Sequence, residues 1–304
     1  MSQPPLASIL INNHNYGQFI SEAIQSALSQ TYPHCEVIVV DDGSKDNSRE
    51  VIESYHDLIT SVFQENSGQA AAMNAAFQSS KGEIIFFLDS DDIFDSTKVE
   101  KIVKIFQDIP VIGWCFHPLL MVDQHRNTLK VEKETFTGPS GTYDVTSKMS
   151  RGKLSGTLPM QGTATSGMSF RRSFLETLLP IPEELRITSD NYLKYAGFGL
   201  SPGYILLEYI AYQRIHDNNA YTLRSNISKL RLDIDIITAY WLRKNFPALS
   251  TFSNNLFAYA LSRTKRNDDI PPKVFSLINQ YRKLLSPNEK IFISLKRAYY
   301  SLNS

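Results

Sequence analysis

Residues Ile84 to Leu88 form an unbroken apolar run that stops on Asp89-Ser90-Asp91-Asp92, with Asp95 close behind. Such a run reads as a strand buried on both faces. Its end sets three carboxylates within four residues. Like charges ~4 Å apart repel by about 4 kcal/mol even at an effective dielectric of ~20. A fold tolerates that cluster only where something neutralises it. A divalent cation with oxygen ligands is the obvious candidate, and such cations usually bring substrate phosphates with them.

The run belongs to an alternating series. Leu6 to Ile11 is strand-like; Phe19, Ile20, Ala23, Ile24, Ala27 and Leu28 then recur at helical spacing. Glu36 to Val40 predicts a second strand, and Asp46 or Ser48 a cap for a helix carrying Val51, Ile52 and Tyr55. Ser61 to Gln64 predicts a third strand, and Ser67 or Gly68 opens an alanine-rich helix to Ser80. Ile84 to Leu88 follows as the fourth strand, with Ser96 as the expected cap of the next helix. This order predicts an α/β fold with a mainly parallel sheet and helices on both faces. Beyond it, Val111–Phe116 and Leu129–Glu134 are strand-like, and Gly152 to Gly167 reads as a loop. Helical patterns return at Arg172–Leu179 and Asp190–Tyr195, and Tyr204 to Tyr212 reads as a strand. From about Tyr221 onward only helices are expected, at about 224–245, 250–262, 271–285 and 287–301.

Composition narrows the classes. Hydrophobic residues make up 42% of the 304, enough for a sizeable core. Lys+Arg and Asp+Glu both number 31, which argues against a general nucleic-acid binder. Cys35 and Cys115 both flank apolar runs and read as buried free thiols. No basic stretch followed by a long apolar core opens the chain, and no run of ~18 apolar residues occurs, so a cytoplasmic protein is the default expectation.

Polar motifs sit where strands stop. Asn12-Asn13-His14-Asn15 follows the first strand, Asp41-Asp42-Gly43-Ser44 the second, and Asp89 to Asp92 the fourth. In a parallel sheet these ends share one edge, and ligands bind in the crevice outside the carboxyl ends of strands. Each motif alone has a plainer reading. Asp-Asp-Gly-Ser is a turn signature, and Asn66-Ser67-Gly68-Gln69 could merely cap its helix. Their convergence on one edge is harder to explain that way. No G-x-G-x-x-G follows the first strand and no G-x-x-x-x-G-K-[ST] occurs, so dinucleotide and P-loop cradles are unsupported.

The run Ser8-Ile9-Leu10-Ile11-Asn12-Asn13-His14-Asn15-Tyr16, then Glu22 to Tyr32, Glu36 to Asp46, Asn66-Ser67-Gly68 with Asn74, Lys81-Gly82-Glu83 and Asp89-Ser90-Asp91-Asp92 resemble the GT-A glycosyltransferases of family 2. The resemblance implies a GT-A, Rossmann-like domain over 1–218, with a nucleotide-binding half at about 1–95 and an acceptor half at about 96–218. A C-terminal helical region, 219–304, lies outside it. The implied reaction is inverting transfer of a sugar from a nucleotide diphosphate, a UDP-sugar, to a hydroxyl of a saccharide or lipid-linked acceptor of the kind used in cell-envelope polysaccharides. By resemblance, Asn12, His14 and Asp42 surround a uridine-type base and Asp41 supports them. Asn15, Asn66, Gly68, Asn74 and Ser90 belong to the nucleotide site. Asp89 contacts the ribose, and Asp91, with Asp92 beside it, holds Mn²⁺ or Mg²⁺. Where the family usually has Pro-Thr-Tyr-Asn, this chain has Asn12-Asn13-His14-Asn15, and His14 could still stack on a base.

The acceptor hydroxyl must lose a proton, which a positioned carboxylate accepts for about 10²–10⁴-fold in rate. Asp190, at a helix start in Thr188-Ser189-Asp190-Asn191, is the candidate base; a plain helix N-cap is the alternative. Tyr212-Gln213-Arg214-Ile215-His216 also resembles a segment of the family, by which His216 could complete the metal shell or touch the diphosphate and Arg214 could clamp the phosphate, though a lone His after a strand is often structural. The polar stretch Gln161 to Ser169 could cover the donor sugar or simply connect. Residues 271–304 carry Lys273, Arg282, Lys283, Lys290, Lys296 and Arg297 against one acid, Glu289. That tail could lie peripherally on the inner face of an anionic membrane. It could equally pack on the catalytic domain or a second subunit as a homodimer. A non-catalytic nucleotide-sugar-binding protein on the same fold is the alternative to an enzyme.

Overall fold

The computed structural model describes residues 3–129, 136–154, 156–160, 162–217, 219, 227–264 and 270–302. The expected strand residues 130–134, together with 161, 218 and 224–226, lie outside them. The described elements run β1 (Ala7–Asn13), α1 (Ile20–Leu28), β2 (Cys35–Asp42), α2 (Ser48–Glu53), β3 (Thr60–Gln64), α3 (Gln69–Gln78), β4 (Ile84–Asp89), β5 (Ile93–Phe94) and α4 (Lys98–Asp108). They continue through β6 (Trp114–Phe116), β7 (Leu120–Val122), β8 (Gly141–Tyr143), α5 (Thr146–Ser150), β9 (Met168–Arg171), α6 (Arg172–Leu175), α7 (Asp190–Leu200), β10 (Gly203–Ile205) and β11 (Ala211–Arg214). Four helices close the chain: α8 (Ile227–Asn245), α9 (Ser250–Ser262), α10 (Pro272–Lys283) and α11 (Pro287–Leu302).

The main sheet has the order β3-β2-β1-β4-β9-β6-β10-β8, and β5-β11-β7 forms a small second sheet. Strands β1 to β4 are mutually parallel, as the alternation of elements predicts. Period-2 alternation sends their side chains to opposite faces. Ile9, Ile11, Val37, Val39, Phe86 and Leu88 pack with α1, α2 and α4. Leu10, Ile38, Val40, Ile85 and Phe87 pack with α3 and α7, and this second core continues without a break into α8–α11 through Leu232, Ile236, Phe257 and Tyr281. The sheet is therefore covered on both faces, in a GT-A-like arrangement.

Four local expectations are corrected. β9, read as the end of a loop, is a strand inserted antiparallel to both β4 and β6. Tyr204–Tyr212 is two strands in two different sheets, since β10 joins β6 and β11 joins β5 and β7. The helix at Arg172 ends at Leu175, before the cis Leu179-Pro180 bond. The residue preceding α4 is Thr97, not Ser96; Asp95 Oδ1 accepts from the Thr97 N–H and hydroxyl there. Cys35 and Cys115 are free, the first half-buried and the second buried. Among the described residues no helix is long and apolar enough to cross a membrane.

Candidate active site

The register brings the three polar motifs together: Asn12 stands opposite Asp89, and Asn13 opposite Asp41. Once a strand leaves its neighbours, its polar groups must find partners or water, and here they find each other. Asn13 Nδ2 donates to Asp41 Oδ1 (2.8 Å), and Asp41 Oδ2 accepts from Ser44 N (3.1 Å). Asn15, at φ 58°, donates its N–H to Ser44 Oγ (2.8 Å) and accepts from Lys45 N (2.7 Å). Asp41 thus braces the β1 and β2 loops, in keeping with a supporting place.

Asp42 is held more firmly still. It accepts from Gln64 Nε2 (2.7 Å), Ser67 N (2.8 Å) and Gly68 N (2.7 Å). The last bond requires Gly68 at φ 95°, where a Cβ would stand 2.7 Å from the Arg186 backbone. Only glycine fits both demands. His14 Nδ1 donates to the Asp42 carbonyl (2.9 Å), and Asn66 lies against the His14 ring at 3.0 Å. A carboxylate oxygen carries two lone pairs, so Asp42 Oδ2 retains one acceptor position toward the cleft.

At β4, Asp89 Oδ1 accepts from Asn12 Nδ2 (3.1 Å) and Gln69 Nε2 (3.3 Å). The turn Thr165–Gly167 lies beside it: Ser166 Oγ accepts from Asp89 N (3.0 Å) and donates to Asp92 Oδ2 (2.6 Å). The fully buried Lys98 ammonium donates to the Ser166 carbonyl and sits 3.5 Å over the Phe94 ring. Burial, then the Asp91 charge, pushes the Asp89 carboxyl up to about 7, and the same two causes push Asp92 well above the carboxylate range. Burial holds Lys98 well below its usual value. Both carboxyl shifts run in the direction that the repulsion expected from the sequence would give.

Arg214 and Asn74 stand elsewhere than expected, and Asp92 lines the cleft with its carboxylate oxygens engaged by the protein. Arg214 is 1% exposed; its guanidinium donates to the Asp91 carbonyl (3.0 Å), the Gln124 carbonyl (2.9 Å) and Glu22 Oε2 (2.9 Å), and stacks 4.6 Å over Phe19. With its three nitrogens engaged, it braces the aspartate turn and does not face the cleft. Asp92 also turns inward, accepting from Ser166 Oγ and from Arg214 N (3.0 Å), so it positions Asp91. Asn74 spends its amide on the N–H and carbonyl of Ile181, both at 2.8 Å, tying α3 to the segment after the cis proline outside the cleft. His216 does reach the cluster: its Nε2 lies 3.1 Å from Asp91 Oδ2, and Asn219 Nδ2 reaches the same oxygen at 3.1 Å.

A cavity of about 580 Å³ opens over this edge, lined by Asn12, His14, Asn15, Asp42, Asn66, Gly68, Asp89, Ser90, Asp91, Asp92 and Asp190 among others. Among the described lining residues Arg186 is the only Lys or Arg. Asn12 Oδ1, Ser90 Oγ and Thr188 Oγ1 are buried and find no hydrogen-bond partner among the described residues, as expected of atoms that await a polar ligand. A second groove of about 770 Å³ approaches from the other side, between α7 and the C-terminal helices. It is lined by Lys194, Tyr195, Arg231, Asp235, Phe252, Tyr259 and Tyr300, and shares Ala164, Thr188 and Asp190 with the first. Asp190 is thus the carboxylate between two cavities. The residue preceding α7 is Ser189, whose N–H and hydroxyl donate to Gln69 Oε1, so Asp190 is the first helical residue and not the cap. Burial raises its pKa, against the pull of Lys194.

Several residues here were not foreseen. Gln69 links Asp89 to Ser189, joining the β4 end to the start of α7. Thr188 holds φ 56°, an outlying conformation for a β-branched residue and the kind of strain found at working sites. Gln69 and Asn219 were visible as polar residues beside quoted motifs. Thr165 and Ser166 lay inside the polar stretch expected near the donor. Nothing in the sequence marked Arg186.

Residues 8–179 match the glycosyl transferase family 2 model. An uncharacterized glycosyltransferase of a Nostoc species is 38% identical over 217 residues, 70% of this chain and 65% of that protein. One from Rickettsia typhi is 31% identical over 232 residues, 74% of this chain and 68% of the relative. The match thus spans about two thirds of the length of these relatives. The crystal structure of S. aureus TarS 1–349 in complex with UDP-GlcNAc has a TM-score of 0.65 at 16% identity, over 98% of this chain and 89% of that one, a likeness of fold. From the strand-end motifs to the helices that follow, the chain belongs to glycosyl transferase family 2.

Proposed function

We propose that the protein transfers a sugar, with inversion, from a UDP-sugar to a hydroxyl of a saccharide or lipid-linked acceptor. The observation that carries this reading is the position of Asp190, at the junction of the strand-end cleft and the second groove. UDP-GlcNAc in the fold-related S. aureus TarS supports the donor class.

On the donor side, the spare lone pair of Asp42 Oδ2 and the orphaned Asn12 Oδ1 accept from the base, and the His14 ring stacks on it. Asp89 accepts from the ribose hydroxyls. The cleft lining bears five aspartates against Arg186 alone among the described residues, so a cation would favour the entry of a diphosphate. Among the described residues no group of three or more His, Cys, Asp or Glu side chains is arranged to hold a metal by itself. The Asp91 carboxylate, with His216 Nε2 3.1 Å from it, would hold Mn²⁺ or Mg²⁺ there, with phosphate and water oxygens supplying the rest of the shell. When bound, the ion supplies Lewis-acid stabilisation of the diphosphate charge, worth several kcal/mol.

On the acceptor side, the Asp190 carboxylate accepts the hydroxyl proton as the acceptor oxygen bonds to the anomeric carbon. The bond from that carbon to the diphosphate breaks, and UDP leaves. Thr188 and Gln69 fix where Asp190 stands, and the Thr165–Gly167 turn walls the cleft between the two sides.

Isothermal titration calorimetry with UDP-GlcNAc, with and without Mn²⁺, tests the reading together with a panel of other UDP-sugars. Metal-assisted binding of at least one of them is expected, with that assistance lost in Asp91→Asn. Well-folded protein that takes up no UDP-sugar with metal overturns the proposal.

A further inference from the structure

The last helix is built to hold its shape independently of what lies outside it. Ser286-Pro287-Asn288-Glu289 is a capping box: Glu289 Oε2 accepts from Ser286 N (2.9 Å) and Ser286 Oγ accepts from Glu289 N (3.4 Å), with Pro287 at the first helical position. Glu289 also pairs with Arg243 (2.8 Å) and accepts from Asn254 (3.0 Å). Those donors, set against burial, hold its carboxyl down at about 2. The inner face of α11 packs on α9 through Ile293 and Tyr300, and Tyr300 also lines the second groove.

Among the described residues, the outer face is exposed. Ile291, Leu295, Tyr299 and Leu302 recur at i, i+4, i+8 and i+11 and are 61%, 68%, 58% and 86% exposed. At 3.6 residues per turn these positions form one stripe along a helix of about 24 Å. Lys290 and Arg297 fall to one side of the stripe and Lys296 to the other. Residues 271–304 hold six of the chain's 31 Lys and Arg but one of its 31 Asp and Glu, and that one, Glu289, is neutralised internally. The chain as a whole has a formal net charge of +0, so the tail is a basic patch on an otherwise acidic protein.

We propose that α11 seats the protein on an anionic bilayer. The apolar stripe enters the acyl boundary, while Lys290, Lys296 and Arg297 extend their stems so that the charges meet lipid phosphates. A second copy of the chain fits less well. A two-fold interface sets the same patch against itself, so the basic rims would meet like charge with like. The inference rests on the proposed transfer reaction in one respect: because α11 presents Tyr300 to the groove beside Asp190 and its opposite face to the bilayer, the acceptor is one displayed on lipid.

Flotation of the full chain with vesicles decides the matter without turnover. Protein is expected to float with vesicles of phosphatidylglycerol and phosphatidylethanolamine, to stay down with phosphatidylcholine alone, and to be released by raised salt. The variant Ile291→Glu/Leu295→Glu changes only exposed positions and is expected to lose flotation while binding UDP as before. Three results overturn the proposal: no binding of folded wild type to the anionic vesicles, binding equal in the double variant, or a wild-type dimer by light scattering that this variant dissolves. A protein that floats but never transfers sugar would leave the membrane surface standing and remove the catalytic reading.

Discussion

The strand-end cleft and the groove beyond Asp190 are built in different ways. At the cleft, Asp42 and Asp89 each accept two or more hydrogen bonds from side chains or backbone supplied by neighbouring loops, and Asp41 braces the loops behind them, so their positions are fixed before a ligand arrives. The groove is walled by large aromatic side chains such as Tyr259 (39% exposed), Phe252 and Tyr195, drawn from helices far apart in sequence. A network of short polar bonds suits one invariant ligand class. A wall of aromatic and aliphatic surface can change its preference by a single substitution. Under the proposed reaction the difference would mean a fixed donor site and an adjustable acceptor site, each open to its own probe.

Asp190→Asn should have the largest effect, because it sits where the halves meet. Transfer should fall by about 10²–10⁴-fold, the usual worth of a general base, with UDP-sugar affinity retained. Undiminished turnover would remove Asp190 from the role. Its ionisation gives a pH signature. Burial favours the protonated acid and raises the pKa above the ordinary value, and only the carboxylate accepts a proton. Transfer should therefore be lost as pH falls through a limb lying above the usual Asp range, and a pH profile of kcat/KM would show it.

Arg214→Ala tests whether the donor half is rigid for structural reasons. Removing a buried guanidinium from Glu22, Asp91 and Gln124 should cost about 2–3 kcal/mol; the low end applies because Glu22 keeps some contact with water. Urea denaturation would read this loss. The KM for donor in the folded fraction should change much less than in Asp91→Asn; an equal change would restore Arg214 to the diphosphate. The smallest effect is expected at Tyr259→Ala in the groove. Loss of one aromatic contact, about 0.5–1.5 kcal/mol, should raise the acceptor KM by roughly 2- to 10-fold and leave the donor KM alone. A shift in the donor KM would mean that the two halves are not separable.

Much of the donor half was legible because its signals are local. Val37 to Val40 and Ile84 to Leu88 are apolar without interruption, and each stops on aspartates, so strand, edge and ligand side follow from one short reading. Asp190 was legible for a similar reason, as a carboxylate at a helix start. Arg214 was not. Its burial depends on Glu22, which is 192 positions away, and on the Gln124 carbonyl, and nothing in Tyr212-Gln213-Arg214 announces either. Asn74 is placed in the nucleotide site only by the family resemblance, and its amide is taken up by Ile181 across the domain. β9 was hidden because Met168-Ser169-Phe170 lacks the β-branched residues that mark a strand; its place is set by pairing with β4 and β6. The groove is harder still, since Phe252, Tyr259 and Tyr300 converge only through helix packing.

The antiparallel insertion of β9 has a further consequence. Because Phe116 pairs with Met168, the stretch 117–167 departs from and returns to a single point on the sheet, like a parenthesis in the chain. Its two anchors stay one strand spacing apart whatever lies between them, and closing a longer loop adds little entropy cost. A graft between those anchors therefore leaves the sheet in place, provided it keeps Leu120 to Gln124, which pair with β11 and hold Arg214, and Thr165–Gly167, whose Ser166 holds Asp89 and Asp92.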